Sequence, residues 1–159
     1  MQYKKIRNGT ETGDLICYNN NTFFGKIIRW ITKQQATHIA ICLWIERRLF
    51  ILEALEWKGV IMTLASSRLT KWNIVSIRRK KGNFSKTKVL ERGLSKLGMK
   101  YDWYINFGLF LKKVFKINIQ MHHDKRYNCS EFWAYVNDLK EKYVTPWDLL
   151  ESKELKDIF

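Results

Sequence analysis

Two apolar runs separated by a short polar stretch constrain this chain more than any other feature. Residues 37–44 are apolar apart from Thr37 and His38, which fits a strand buried on both faces. A second run from Leu49 to Leu55 is broken only by Glu53, and Glu46-Arg47-Arg48 lies between the two as a polar turn. The pair reads as a β-hairpin. Three more strands are expected: Gly13–Tyr18 reads as a turn followed by a short strand, and Gly59–Thr63 and Trp72–Ile77 supply the other two. Helices are expected around them. Phe23, Phe24, Ile27, Ile28 and Ile31 make an apolar stripe that Thr22 can cap, and Leu90, Leu94 and Leu97 line one face of Ser85–Leu97. Asp102 can cap a helix running from Trp103 to about Phe115, and a short helix follows Pro146 over Trp147–Leu150. Strands in the first half with helices around them predict an α+β fold, in a single domain over residues 1–159.

Two of the three polar residues in these runs, His38 and Glu53, are titratable. If its paired residues sum to 91, Ile45 and Glu46 form the turn and His38 lies directly opposite Glu53, on the same face. An unpaired acid inside Phe50–Leu55 would be costly to bury, and a histidine across the sheet is a suitable partner. The pairing depends on register, because a slip of one residue sends the two side chains to opposite faces.

A third residue joins them from the other end of the chain. In Tyr127-Asn128-Cys129-Ser130-Glu131-Phe132, Asn128 is a good N-cap and Glu131, three residues on, completes a variant of the capping box. Phe132, Val136, Leu139 and Tyr143, with Tyr135 beside them, continue at helical spacing. Cys129 then opens a helix, where unpaired backbone N–H groups and the dipole favour an anion. That setting lowers a thiol pKa from ~8.5 to roughly 3.5–7.5. Two readings follow: a nucleophile, which needs a base such as His38 and an orienting group such as Glu53, or a buried structural thiol.

Composition narrows the classes. The chain has 159 residues, 46% of them hydrophobic and only one proline, enough for a real core and too few breakers for a disordered linker. The three cysteines, Cys17, Cys42 and Cys129, share no C-x-x-C spacing, so free thiols are expected rather than a disulfide framework or zinc site. Residues Met1–Lys5 lack the apolar stretch of a signal peptide, and no segment reaches the ~20 apolar residues of a membrane span, so a cytoplasmic location is expected. The net charge of +14 comes from 29 basic and 15 acidic residues. It leaves an anionic membrane surface, nucleic acid and acidic substrates open as partners, beside simple solvated faces.

Gly13-Asp14, Thr37-His38-Ile39-Ala40-Ile41, Leu52-Glu53-Ala54 and Tyr127–Glu131, in that order, resemble the circularly permuted, NlpC-type papain-like cysteine hydrolases. The likeness is to the YiiX/YebB-like group and, more distantly, to the lecithin:retinol acyltransferase group. Gly59-Val60, Gly98 with Tyr101-Asp102, and Thr145-Pro146 also fall where the first group has similar residues. The resemblance implies a papain-like antiparallel sheet with the nucleophile helix packed on it. It implies a Cys-His-Glu triad, with Cys129 as nucleophile, His38 as general base and then acid, and Glu53 orienting the imidazole. Tyr127 resembles a residue two positions before the family's cysteine, with an oxyanion role or a packing role. The implied activity is a thiol hydrolase acting on a peptide, another amide or an ester through an acyl-enzyme, with transfer to another acceptor as a variant and no cofactor. The chain departs from the acyltransferase group at Ser130-Glu131, where that group commonly has Glu-His.

Three competing readings stand beside this one. The greasy segment Trp103–Lys113 could line an acyl pocket or lie at an anionic membrane, as in a lipid acyltransferase or phospholipase-like enzyme, or simply be core. Charge and seven tryptophans permit a non-catalytic nucleic-acid-binding module, although the aromatics fall mostly within apolar runs. A metal site from His122, His123, Asp124 and Cys129 is the third option, with no second cluster to complete four ligands.

Overall fold

The computed structural model describes residues 3–19, 25–26, 29–30, 33, 35–70, 73–102, 104, 108, 111, 115–116, 126–139 and 145–159. Helix α1 (Tyr3–Gly9) leads into strand β1 (Leu15–Asn19). The hairpin β2 (His38–Ile45) and β3 (Arg48–Leu55) follows, then β4 (Gly59–Leu64), the one-turn helix α2 (Ala65–Arg68) and β5 (Asn73–Lys80). Helix α3 (Lys86–Leu94), the short strands β6 (Lys100–Tyr101) and β7 (Arg126–Tyr127), helix α4 (Cys129–Val136), helix α5 (Pro146–Glu151) and β8 (Leu155–Asp157) complete the order. Strands β1 to β5 and the short β8 form one antiparallel sheet in the order β4-β3-β2-β1-β5-β8, while β6 and β7 make a separate parallel pair. The fold is therefore mixed α+β with a six-stranded antiparallel sheet. Among the described residues no helix is long and apolar enough to cross a membrane.

The continuous apolar run of β2 has a simple cause: both faces of the sheet are covered. Cys17, Ile39, Ile41, Leu43, Leu52 and Ala54 pack with Phe132, Trp133 and Val136 of α4 and Val89 of α3. Ile16, Tyr18, Ala40, Cys42 and Ile51 pack on the other side with Ile6 of α1 and with Ala65 and Leu69 around α2. A strand in that position buries alternate residues in two different cores, so it shows no polar alternation.

The hairpin register differs from the expectation. Ile41 pairs with Leu52 and Ile45 with Arg48, so paired residues sum to 93 and the turn is Glu46-Arg47. Glu46 has φ +53°, the positive value that a two-residue hairpin turn with this twist requires. A shift of two residues keeps every side chain on its face, so His38 and Glu53 are diagonal neighbours rather than direct partners. Other bounds move too. The expected helix Ser85–Leu97 is α3, with the Ser85 hydroxyl as its N-cap, and the expected strand Trp72–Ile77 runs to Lys80. The expected helix near Trp147–Leu150 begins at Pro146 and is closed by a capping box between Thr145 and Asp148. Gly59, with φ +70°, allows the start of β4 to pass beside Met99, whose carbonyl a Cβ at that position would strike. The stripe Phe23, Phe24, Ile27, Ile28 and Ile31 lies outside the described residues, as do Thr22 and Tyr143.

Candidate active site

Asn128 begins the site. Its backbone is extended and its Oδ1 accepts the Glu131 N–H at 2.8 Å, so α4 starts at Cys129. The thiol is 6% exposed and lies where α4 meets the start of β2. Burial opposes the thiolate, but the facing His38 imidazole outweighs it, helped by the Ile39 N–H and the Ser130 hydroxyl, and the Cys129 pKa falls below its ordinary 9.0. Ser130 Oγ is 4.0 Å from Sγ. Burial pushes the Cys17 and Cys42 thiols far up, which the Thr10 hydroxyl beside Cys42 does not offset.

His38 is the first residue of β2, at the end of the sheet, and its neighbour across the β1–β2 ladder is Tyr18. The two rings meet edge to face, with centroids 5.1 Å apart and planes at 64°. Nε2 is 3.5 Å from Glu53 Oε2, an ionic contact longer than an ordinary hydrogen bond. The imidazole also interacts with the Cys129 thiol. Burial works against the imidazolium, but the Cys129 thiolate and the Glu53 carboxylate prevail, and the His38 pKa is pushed up to about 10. The two shifts are opposed, each group favouring the charged form of its partner.

Glu53 is buried among donors. Oε2 accepts the Tyr18 hydroxyl at 2.7 Å, while Oε1 accepts Arg68 Nε at 3.0 Å and Nη2 at 2.6 Å. Burial disfavours its charge, but His38, Tyr18 and Arg68 together hold the carboxyl below its ordinary 4.5. The architecture explains the meeting. The helix of Cys129 packs on one face of the sheet, Glu53 and α2 share the other, and His38 at the strand end touches both sides.

The structure thus brings Cys129, His38 and Glu53 together, and adds Tyr18 and Arg68, which the sequence did not single out. Tyr18 becomes visible only once β1 is known to pair with β2. Arg68 carries no pattern signal in Ala65-Ser66-Ser67-Arg68, where a single helical turn aims it back at β3. Tyr127 stands on β7, half-buried, its ring 5.9 Å from Phe132 and 5.4 Å from Tyr135, with Lys96 Nζ above it at 5.7 Å. His122, His123 and Asp124 lie outside the described residues, as does most of Trp103–Lys113. Asp102 Oδ1 accepts the Tyr104 N–H at 3.0 Å, as a helix cap would. Among the described residues no group of three His, Cys, Asp or Glu side chains is placed to hold a metal ion.

No family model matches this chain, and no curated protein does. Among solved structures it is similar to the metalloprotein YiiX from Escherichia coli O157:H7, with a TM-score of 0.62 and 16% sequence identity, covering 95% of this chain and 97% of that one. At that identity the likeness concerns the fold alone: the chain has a YiiX-like fold.

Proposed function

We propose that this chain is a cysteine hydrolase of the papain-like, NlpC-type kind, working through Cys129, His38 and Glu53. One observation carries the reading: the thiol that opens a capped helix is paired with an imidazole that is itself backed by a buried carboxylate. The two cysteines with no such partner have thiols pushed the other way.

The chemistry follows from these contacts. The Cys129 thiolate attacks a carbonyl carbon, and a C–S bond forms as the carbonyl π electrons move to oxygen. When the tetrahedral intermediate collapses, the C–N or C–O bond breaks and the His38 imidazolium gives its proton to the leaving amine or alkoxide. The acyl group is then a thioester on Cys129. Neutral His38 takes a proton from water as the hydroxide attacks the thioester carbon; the C–S bond then breaks, the carboxylic acid leaves, and the Cys129 thiolate and His38 imidazolium are regenerated. Glu53 keeps Nε2 facing it and stabilises each imidazolium. Backbone N–H groups at the start of α4 are suited to the oxyanion, and Tyr127, two residues before the thiol, is the side chain to test beside them. Peptides, other amides and acyl esters are the substrate classes.

YiiX is called a metalloprotein. The donor set described here does not favour a resident metal at the thiol. Cys129 and His38 are two ligands, and Glu53 is already engaged by a guanidinium, whereas zinc sites use three or four protein ligands.

The test is to expose the protein to activated acyl esters and amides and follow its intact mass. An acyl adduct that maps to Cys129, is absent in Cys129→Ala and decays in water supports the reading. No adduct on Cys129 from any acyl donor, with the thiol reduced and the protein folded, contradicts it.

A further inference from the structure

An arginine facing a buried carboxylate usually places its fork across both oxygens. Arg79 does so with Asp14 in this molecule: Nε bonds Oδ1 and Nη2 bonds Oδ2, each at 2.8 Å. Arg68 is arranged differently. Its Nε and Nη2 converge on Oε1 of Glu53, at 3.0 and 2.6 Å, and Oε2 is left to Tyr18 at 2.7 Å and His38 at 3.5 Å. A carboxylate has two oxygens in one plane, so fixing one oxygen at two points fixes where the other aims. Tyr18 adds a third restraint, and its ring stands against the imidazole.

We propose that Arg68 is a positioning residue of the site, whose guanidinium clamps Oε1 of Glu53 so that Oε2 is presented to Nε2 of His38. The inference rests on the Cys129–His38–Glu53 reading. Arg68 touches neither substrate nor reacting atoms in this role; it acts through Glu53. Its place on a single helical turn after β4, with its side chain 31% exposed, brings a surface residue onto a fully buried acid. Without the clamp, Oε1 loses two donors, the carboxyl is free to turn or to take up a proton, and the imidazolium loses its fixed anion. The thiolate opposite is then less favoured.

The experiment is the rate of Cys129 alkylation against pH in wild type, Arg68→Met, Arg68→Lys, Glu53→Gln and the Arg68→Met/Glu53→Gln double variant. Losing an outer partner of this kind is expected to lower the rate at pH 6 by about tenfold, with no change at a pH high enough to ionise Cys129 in every variant. Arg68→Lys keeps the charge without the fork and guards against loss of the fold; it should show the same direction of change. In the double variant the Arg68 change should add nothing to the Glu53 change. Overturning results are a wild-type profile for Arg68→Met, full rescue by Arg68→Lys, or an equal Arg68 effect with and without Glu53. A wild-type profile for Glu53→Gln instead removes the triad reading beneath the proposal. An ion pair serving stability alone would lower the melting temperature and leave the profile where it is.

Discussion

Two buried acids, each gripped by an arginine, end with opposite chemistry. Asp14, just before β1, gives both oxygens to Arg79 on β5 and a further bond at 2.7 Å to the Glu11 N–H. Burial is the largest influence on its carboxyl, and the pKa rises above the ordinary 3.8. Glu53 is just as inaccessible, yet its pKa falls, because His38 and the Tyr18 hydroxyl stand beside it in addition to the arginine. Arg79 also bonds Glu11 Oε1 at 2.6 Å and the Gly9 carbonyl at 3.1 Å, so the cluster braces the segment before β1 against β5. Glu53 keeps one oxygen for a group that can change its charge. A buried acid–arginine pair is therefore a brace or part of a site according to whether its further partner is a fixed backbone donor, as at Asp14, or a group that can change its charge, as at Glu53.

The largest expected effect separates the two regions by kinetics. His38→Ala should slow acylation of Cys129 by roughly 10²–10⁴-fold, while Asp14→Asn should leave the acylation rate of the folded protein unchanged. Equal losses in both would erase the distinction. Stability should show the reverse. Arg79→Met leaves Asp14 without its fork and should cost roughly 3–5 kcal/mol in denaturant unfolding. Arg68→Met should cost less, since Glu53 retains Tyr18 and His38. Tyr18→Phe removes one bond to a buried carboxylate, and about 1.5–3 kcal/mol is expected by the same measurement.

The finest test is the pH dependence of unfolding, where the two acids have opposite signs. The folded pKa of Glu53 lies below 4.5, so its stabilisation is present above that pH and is lost as pH falls through the folded pKa. Glu53→Gln should flatten the acid limb below about pH 4.5. The folded pKa of Asp14 lies above 3.8, so its contribution is present below that pH and is lost as pH rises through the folded pKa. Asp14→Asn should remove that loss. Shifts of the same sign in the two variants would mean that the acids are not in different environments.

Much of this arrangement was legible in the sequence, for identifiable reasons. The hairpin stands out because β2 is covered on both faces, and the start of α4 stands out because Asn128 can cap only in one place. His38 and Glu53 could be paired even with the turn misplaced, because the register error was even and face is conserved under a shift of two. The turn itself was not legible. Glu46 adopts a positive φ that a glycine or asparagine would have advertised and a glutamate does not. Helix α1 and the one-turn α2 are too short to show a period, and β8 has three residues, only the first of them buried. Arg68 escaped with α2, since its importance lies in a contact across fifteen residues rather than in any local pattern.

The pairing of Cys129 with His38 is tested most directly by the rate of thiol alkylation against pH in wild type and His38→Ala, with Cys17 and Cys42 as references in the same molecule. The geometry predicts rapid reaction of Cys129 below its ordinary pKa of 9.0, loss of that reactivity without His38, and two unreactive buried thiols in both proteins. A Cys129 that reacts like Cys17 and Cys42, or that keeps its reactivity in His38→Ala, would contradict the thiolate–imidazolium pair and the hydrolase reading built on it.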